Sequence, residues 1–375
     1  MSTASTDSYS DVGNDKYYIE GGYCRINIGD LFNQRYRTVY LLGWGKYGMV
    51  WLVWDYTSNT FRAMKATKGS KDANDDANDE IEINQHVGEH PHICKLLDSF
   101  LSNGHQFLVF ECLGVGLDFI SHHHQRLSIH VVESIVSNIL DAIRHLKKNG
   151  VIHTDIKEAN ILISKIPHHV RKIMTTYRPP PIDAIISIPF VKSEITYVPY
   201  TEDELADVKL ADLGNSYYDD DSDNTFNVQS DGMVSPEIIL GYGYDQAVDI
   251  WSVGCIAYAL LTGSDLFDCA GKSIDSKVSY ISSDTMTYME NRLACIEELL
   301  GPIPKYMIEN GIHSSRYIDP STGKYKHIDN LIPQSLRDRL IDLDIWDSEE
   351  EIDRVCNLLM PLLALDPKKR LECIA

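Results

Sequence analysis

Residues 151–160 read VIHTDIKEAN and set His153, Asp155, Lys157 and Asn160 within ten positions. The carboxylate of Asp155 could accept a proton from a substrate hydroxyl. Lys157 could neutralise a transferring phosphoryl group, and Asn160 offers an amide oxygen to a hard cation such as Mg²⁺. Asp212, in Asp212-Leu213-Gly214, adds an oxygen ligand suited to a metal ion that bridges phosphate oxygens. Lys65, in Ala63-Met64-Lys65, is a cation in an apolar run, so it needs a carboxylate or a phosphate. Glu80 is the first candidate partner and Glu82 the second. LGWGKYGMV, running from Leu42 to Val50, fits G-x-G-x-x-G at Gly43, Gly45 and Gly48. Glycines there would let the backbone approach phosphate oxygens without a Cβ in the way.

These groups need a scaffold. RTVYLLG, MVWLVWD and TFRAMKA read as three short strands, with YTSNT as the turn between the last two. Strands rather than a helix follow the glycines, which excludes a dinucleotide fingerprint. The charged stretch SKDANDDANDE at 70–80 leads into IEINQHV, where a helix is expected to start. FLVFECLG at 107–114 reads as a buried strand entering a connector. Val132, Ile135, Val136, Ile139, Leu140, Ile143 and Leu146 repeat at three- and four-residue spacing, as one face of a helix does. Gly150 stops that helix, so VIHTDIKEAN lies on a loop held by it. VKLADLGN at 208–215 reads as strand then turn, and AVDIWSVGCIAYALLTG as an apolar helix ended by Gly263. Residues 164–206 contain RPPPIDAIISIPF and the acids Glu202, Asp203 and Glu204, and read as an insertion with a Pro-rich portion. Residues 1–20 read as a flexible tail. The order predicts an α+β chain with a strand-rich N-lobe at 21–113, a helix-rich C-lobe at 114–375, and a cleft between them.

Of the 375 residues, 43% are apolar and 24% charged, as in ordinary globular proteins. Lys plus Arg number 34 against 55 Asp plus Glu, a formal charge of −21. Such a chain repels nucleic acid and anionic membranes and favours a basic partner, although acidity also serves solubility. None of the eight cysteines forms a C-x-x-C, so neither a zinc knuckle nor a redox pair is suggested. MSTASTDSYS lacks the apolar core of a signal peptide, and the apolar runs are too short to span a bilayer. The expectation is a monomer with free thiols in cytoplasm and nucleus, touching neither nucleic acid nor membrane directly.

Each stretch has an ordinary reading: an Asn/Asp turn, a surface lysine, a glycine-bearing hairpin. In this order and spacing they match the protein-kinase set of glycine loop, strand lysine, H-x-D-x-K-x-x-N and D-x-G. From about residue 21 the chain resembles a eukaryotic protein kinase with a bilobal protein-kinase-like fold. More narrowly it resembles the SR-protein-specific kinases, which phosphorylate serines in Arg-Ser repeats of splicing factors. GGYCRINIGDLFNQRY, GWGKYGMVWLVWD, IHTDIK with Thr154, and DLGN carry that likeness.

The resemblance implies ATP and Mg²⁺ as cofactors and an Arg/Ser-rich protein as substrate. It implies that Leu42, Gly43, Trp44, Gly45, Lys46, Tyr47, Gly48, Met49 and Val50 cover ATP together with Ala63. Lys65 would contact the α- and β-phosphates and pair with Glu80. Phe110 would be the gatekeeper, with Glu111 and Leu113 bonding adenine through their backbone. Asp155 would be the catalytic base with Lys157 on the γ-phosphate, and Asn160 and Asp212 would hold Mg²⁺. Glu237, in Ser235-Pro236-Glu237, would pair with Arg370, and Asp249 would brace the catalytic loop. Thr154 replaces the arginine that pairs with an activation-loop phosphate in many kinases, so activity without that phosphate is expected.

Departures concern the substrate. Ser230-Asp231-Gly232-Met233-Val234-Ser235 stands where the family has Thr-Arg-x-Tyr-Arg-Ser. Ser230 could still supply the hydroxyl that steadies the catalytic loop, but two basic residues are gone. Asp219, Asp220, Asp221 and Asp223 could attract an Arg-rich peptide, or simply form a solvated loop. Glu298 matches one substrate-docking acid, whereas Asn291 replaces another. LDPKKRLECIA stops before the family's usual last helix, through truncation or tolerance. A kinase without Arg-Ser preference and a pseudokinase scaffold are the alternative readings.

Overall fold

The computed structural model describes residues 18–123, 126–188, 199–219, 228–267 and 285–375. They fall into two compact units. One contains 18–116 with the described part of Leu162–Ser216; the other contains Leu117–Ile161 with the described part of Tyr217–Ala375. Most of the tail and Asp220, Asp221 and Asp223 lie outside the described residues.

The first unit is built on a six-stranded antiparallel sheet in the order β1-β2-β3-β4-β6-β5. Its strands are β1 (Leu31–Phe32), β2 (Tyr36–Gly45), β3 (Gly48–Asp55), β4 (Thr60–Thr67), β5 (Leu96–Ser102) and β6 (His105–Phe110). Strand alternation sends Leu41, Met49, Trp51, Met64, Phe107 and Val109 into one apolar core. The opposite face carries Leu52 in a second cluster, and places Lys65 opposite Val50 on one side and Leu108 on the other.

Helix α1 (Lys71–Val87) starts ten residues earlier than the apolar IEINQHV suggested. Ser70 caps it, its hydroxyl accepting the Ala73 N–H at 3.3 Å. The early acidic turns face outward, so hydrophobic periodicity alone does not reveal them; Ala77, Glu80, Ile83 and Val87 form the buried stripe.

The 164–206 insertion follows the catalytic loop in the chain but makes its contacts on the sheet. Helix α4 (His168–Thr176), preceded in the chain by α2 (Leu117–His123) and α3 (Ile129–Lys148) of the second unit, packs Val170 into the cluster around Leu52. The Pro-rich stretch then lies against β2 and the turn after β3. Tyr56 donates to the Pro180 carbonyl at 2.6 Å, and the buried Arg37 to those of Ile182 at 2.8 Å and Gly29 at 2.7 Å. Ile188 exchanges both backbone bonds with Ile28. Prolines leave carbonyls without adjacent N–H partners, and Arg37 and Tyr56 supply the missing donors. A short helix α5 (Glu202–Leu205), with a capping box from Thr201 and Glu204, leads into β9 (Val208–Leu210), which pairs with β8 (Ile161–Ile163).

The second unit is mainly helical. It contains α2 (Leu117–His123), α3 (Ile129–Lys148), α6 (Pro236–Leu240), α7 (Ala247–Thr262) and α8 (Thr285–Leu300). Helix α3 buries the predicted Val132, Ile135, Val136, Ile139, Ile143 and Leu146. Helix α7 is buried on nearly every face and ends at Gly263 with φ +75°, a left-handed stop that costs glycine little. A two-stranded ribbon pairs β7 (Val151–Ile152) with β10 (Tyr217–Tyr218). Among the described residues, no helix is long and apolar enough to cross a membrane.

Candidate active site

The site residues are held as one group in each unit. In the sheet unit, β2 and β3 turn through Lys46 and Tyr47, with Gly45 opposite Gly48. A Cβ on Gly48 would lie 2.2 Å from the Ala66 carbonyl oxygen, so the hairpin requires glycine there. Gly43 and Gly45 face open space, which leaves bare backbone for a phosphate-bearing ligand. Two residues of this stretch point elsewhere. Met49 is in the sheet core, and Trp44 stacks on Tyr23 at 4.7 Å. Strand alternation turns Met49 away from the face that carries Leu42, Val50, Ala63 and Lys65, and the register shift between Leu41 and Gly43 turns Trp44 away from it too, so only their backbone can serve a nucleotide.

Lys65 decides between its candidate partners. Its Nζ donates to Glu80 Oε2 at 2.8 Å and to Asp212 Oδ1 at 3.1 Å, while Glu82 is exposed. Burial opposes the charge on Lys65, but Glu80 and Asp212 outweigh it and raise its pKa. Burial also raises the Glu80 carboxyl, against the pull of Lys65. Asp212 has φ +66°, a conformation rare outside glycine, just before the turn 213–215 that packs on α1. A cavity of about 40 Å³ lies among Tyr47, Lys65, Thr67, Glu80, Asp212 and Gly214.

In the connector, Glu111 donates its N–H to the Lys95 carbonyl at 3.1 Å, and Leu113 is half-buried. The Glu111 carboxylate accepts Lys209 Nζ at 2.8 and 2.9 Å and the Lys95 N–H at 2.9 Å. Lys209, on β9 three residues before Asp212, was missed from the sequence. A lysine inside the apolar run VKLADLG carries the same signal that singled out Lys65.

In the helical unit, Asp249 of α7 is buried beneath the loop that carries His153 and Asp155. Its carboxylate accepts the N–H groups of His153 and Thr154, each at 2.8 Å, and Gln246 Nε2 at 2.6 Å. Burial raises its pKa. Thr154 sits at φ +66°, a strained position for a β-branched residue, and the Asp249 bond holds it there. That backbone presents Asp155, whose Oδ1 accepts the Ser230 hydroxyl at 2.7 Å and whose Oδ2 accepts Lys157 Nζ at 2.6 Å. Asn160 donates its amide N–H to the Asp155 carbonyl at 2.9 Å, which assigns its amide orientation. The half-buried Glu158 is pushed up to about 7, first by burial and then by Asp265 and Asp118.

Glu237 and Arg370 form a buried fork, at 2.7 and 3.1 Å. Glu298 is already engaged: its Oε1 accepts the Ile332 N–H at 2.8 Å.

The donors suit a nucleotide and a divalent cation. In the sheet unit Lys65 is a half-buried cation, Gly43 and Gly45 leave open backbone, and Asp212 offers a hard carboxylate oxygen; in the helical unit Asn160 offers an amide oxygen. The protein kinase domain model matches residues 36–374, and the chain belongs to that family. Among its relatives it is 30% identical to "Serine/threonine-protein kinase SRPK" of Physarum polycephalum, covering 94% of this chain and 87% of that one. It is 26% identical to "Serine/threonine-protein kinase spk-1" of Caenorhabditis elegans, over 94% of this chain and 49% of the relative. To "Protein kinase dsk1" of Schizosaccharomyces pombe it is 27% identical, over 95% and 82%. The sheet unit and the helix-rich unit are those of the bilobal kinase fold.

Proposed function

We propose that this serine/threonine kinase transfers the γ-phosphate of Mg²⁺-ATP to serines in Arg/Ser-rich proteins. The observation that carries phosphoryl transfer is Asp155, placed between the Ser230 hydroxyl and the Lys157 ammonium. In the reaction the serine hydroxyl oxygen bonds to the γ-phosphorus as the bond to the β–γ bridging oxygen breaks, and ADP leaves. Asp155 orients the hydroxyl and takes its proton. Lys157 meets the charge on the phosphoryl group, and Lys65, fixed by Glu80, holds the α- and β-phosphates. Asp212 and Asn160 are the residues that would hold Mg²⁺, which supplies charge neutralisation on the phosphates when bound. Thr154 supports activity independent of an activation-loop phosphate, and phosphatase treatment is expected to leave the rate intact.

The Arg/Ser preference is supported by likeness to SRPK-type kinases and by the charge of −21. Asp231, Val234 and the engaged Glu298 favour a second reading, a kinase of the same chemistry without that preference. The test is transfer from labelled ATP to Arg-Ser repeat, Ser-Pro and acidic peptides, with Asp155→Ala as control. Transfer to the repeat peptide alone, lost in the control, supports the first reading. Equal transfer to all three supports the second. No transfer to any peptide leaves a scaffold.

A further inference from the structure

A buried guanidinium sits behind the 230–235 segment. Arg292, on α8, is wholly removed from solvent. Its Nε donates to the Val234 carbonyl at 3.0 Å, its Nη2 to that of Gly232 at 2.9 Å, and its Nη1 to that of Phe267 at 3.5 Å. Among the described residues its bonds go to carbonyls, and no carboxylate pairs with it. The guanidinium also lies over the Phe267 ring at 5.3 Å. Phe267 stacks on Trp251 at 5.6 Å, and Trp251 lies beneath Arg370, which forks onto Glu237. A continuous stack therefore links Arg292 to the buried ion pair at the start of α6.

Burying a cation that meets no counter-charge among the described residues is costly, and an apolar side chain on this helix face would avoid the cost. What offsets it is the fork of N–H donors meeting carbonyl dipoles, which only arginine can present in this geometry. The compensation holds only while Gly232 and Val234 keep their positions, so the side chain and the segment fix each other. Gln229 ties the same segment at its beginning. Its Nε2 donates to Val248 O at 2.8 Å and Ser252 Oγ at 3.0 Å, and its Oε1 accepts the Ser235 N–H at 2.9 Å. Ser230, the residue that holds Asp155, lies between these two anchors.

We propose that Arg292 is a positioning residue for the protein substrate: it fixes the backbone of 230–235 beside Asp155 and so sets the surface that meets the residues flanking the acceptor serine. This rests on the kinase reading.

The test is steady-state kinetics of the full chain on an Arg-Ser repeat peptide, or on whichever basic peptide the wild type modifies. R292K keeps the charge and loses the fork; R292Q loses both. R292K is expected to raise the KM for peptide about tenfold and R292Q more, with the KM for ATP changed by less than about twofold. F267L, which keeps the arginine but removes the ring under it, should shift the peptide KM in the same direction by less. If R292Q does not fold, as judged by its unfolding transition, R292K and F267L decide. A peptide KM at the wild-type value in folded R292K overturns the proposal, as does an equal rise in both KM values, the mark of general loosening. Failure of the wild type to modify any peptide overturns the kinase reading, and this proposal with it.

Discussion

At the scale of single residues, the groups that could do the chemistry are each pinned by a short, directional bond. Asp155 is the clearest case, because both carboxylate oxygens are engaged. Ser230 supplies one of those bonds from a segment in which Asp231 and Val234 stand where the SR-protein kinases have arginines. Its hydroxyl donates to a charged acceptor, a bond stronger than that between neutral groups. Ser230→Ala is therefore expected to lower kcat by up to about tenfold, leaving the KM for ATP unchanged. Steady-state rates with ATP varied at saturating peptide check this, and an unaltered kcat would show that Asp155 needs no such support.

At the scale of elements, the Pro-rich strap is the feature that chain order misplaces. It lies between Asn160 and Asp212 in the chain, yet its bonds go to Arg37 on β2, to Tyr56 just after β3 and to the 28–30 segment. Tyr56 is central: it donates to the Pro180 carbonyl and accepts from Arg37 Nε at 3.0 Å. Arg37 is almost wholly buried, so each of its donors must find a partner. Tyr56→Phe removes both bonds without altering the ring. The expected result is a loss of about 1–2 kcal/mol in unfolding free energy and faster proteolytic cutting within 178–188. Urea unfolding and limited proteolysis measure the two effects. Stability and cutting both at wild-type levels would mean that the strap is held by its apolar contacts alone.

At the scale of the whole molecule, the dominant property is charge. A formal −21 over 375 residues surrounds the chain with a negative potential that draws in basic peptides and repels acidic ones. Salt screens such a field, with a Debye length of about 10 Å at 0.1 M. The KM for an Arg-rich peptide is therefore expected to rise severalfold between about 50 and 300 mM NaCl, while that for an uncharged serine peptide stays nearly flat. Parallel titrations of the two peptides test it. A flat response for both would assign the acidity to solubility rather than to substrate choice.

Much of this was legible in the residues themselves. Strand alternation marked β2, β3 and β4, and 3.6-residue periodicity marked α3, because each buries one face and so constrains residue type locally. The spacing from His153 to Asn160 and the D-x-G at Asp212 were legible because phosphoryl transfer admits few alternatives for a base, a cation and metal ligands. The lysine of the strand β4 announced its need for a carboxylate, and two candidates were within reach; only the packing of α1 selected Glu80 and left Glu82 in solvent. The same need went unread at Lys209, whose partner Glu111 lies 98 residues away. Arg292 gave no local signal at all, since its acceptors are backbone carbonyls, which every residue carries whatever its side chain. Local sequence thus determined which chemistry and which elements this protein has. Tertiary packing alone decided which polar groups meet, because the cost of burying an unpaired charge is settled between segments distant in the chain.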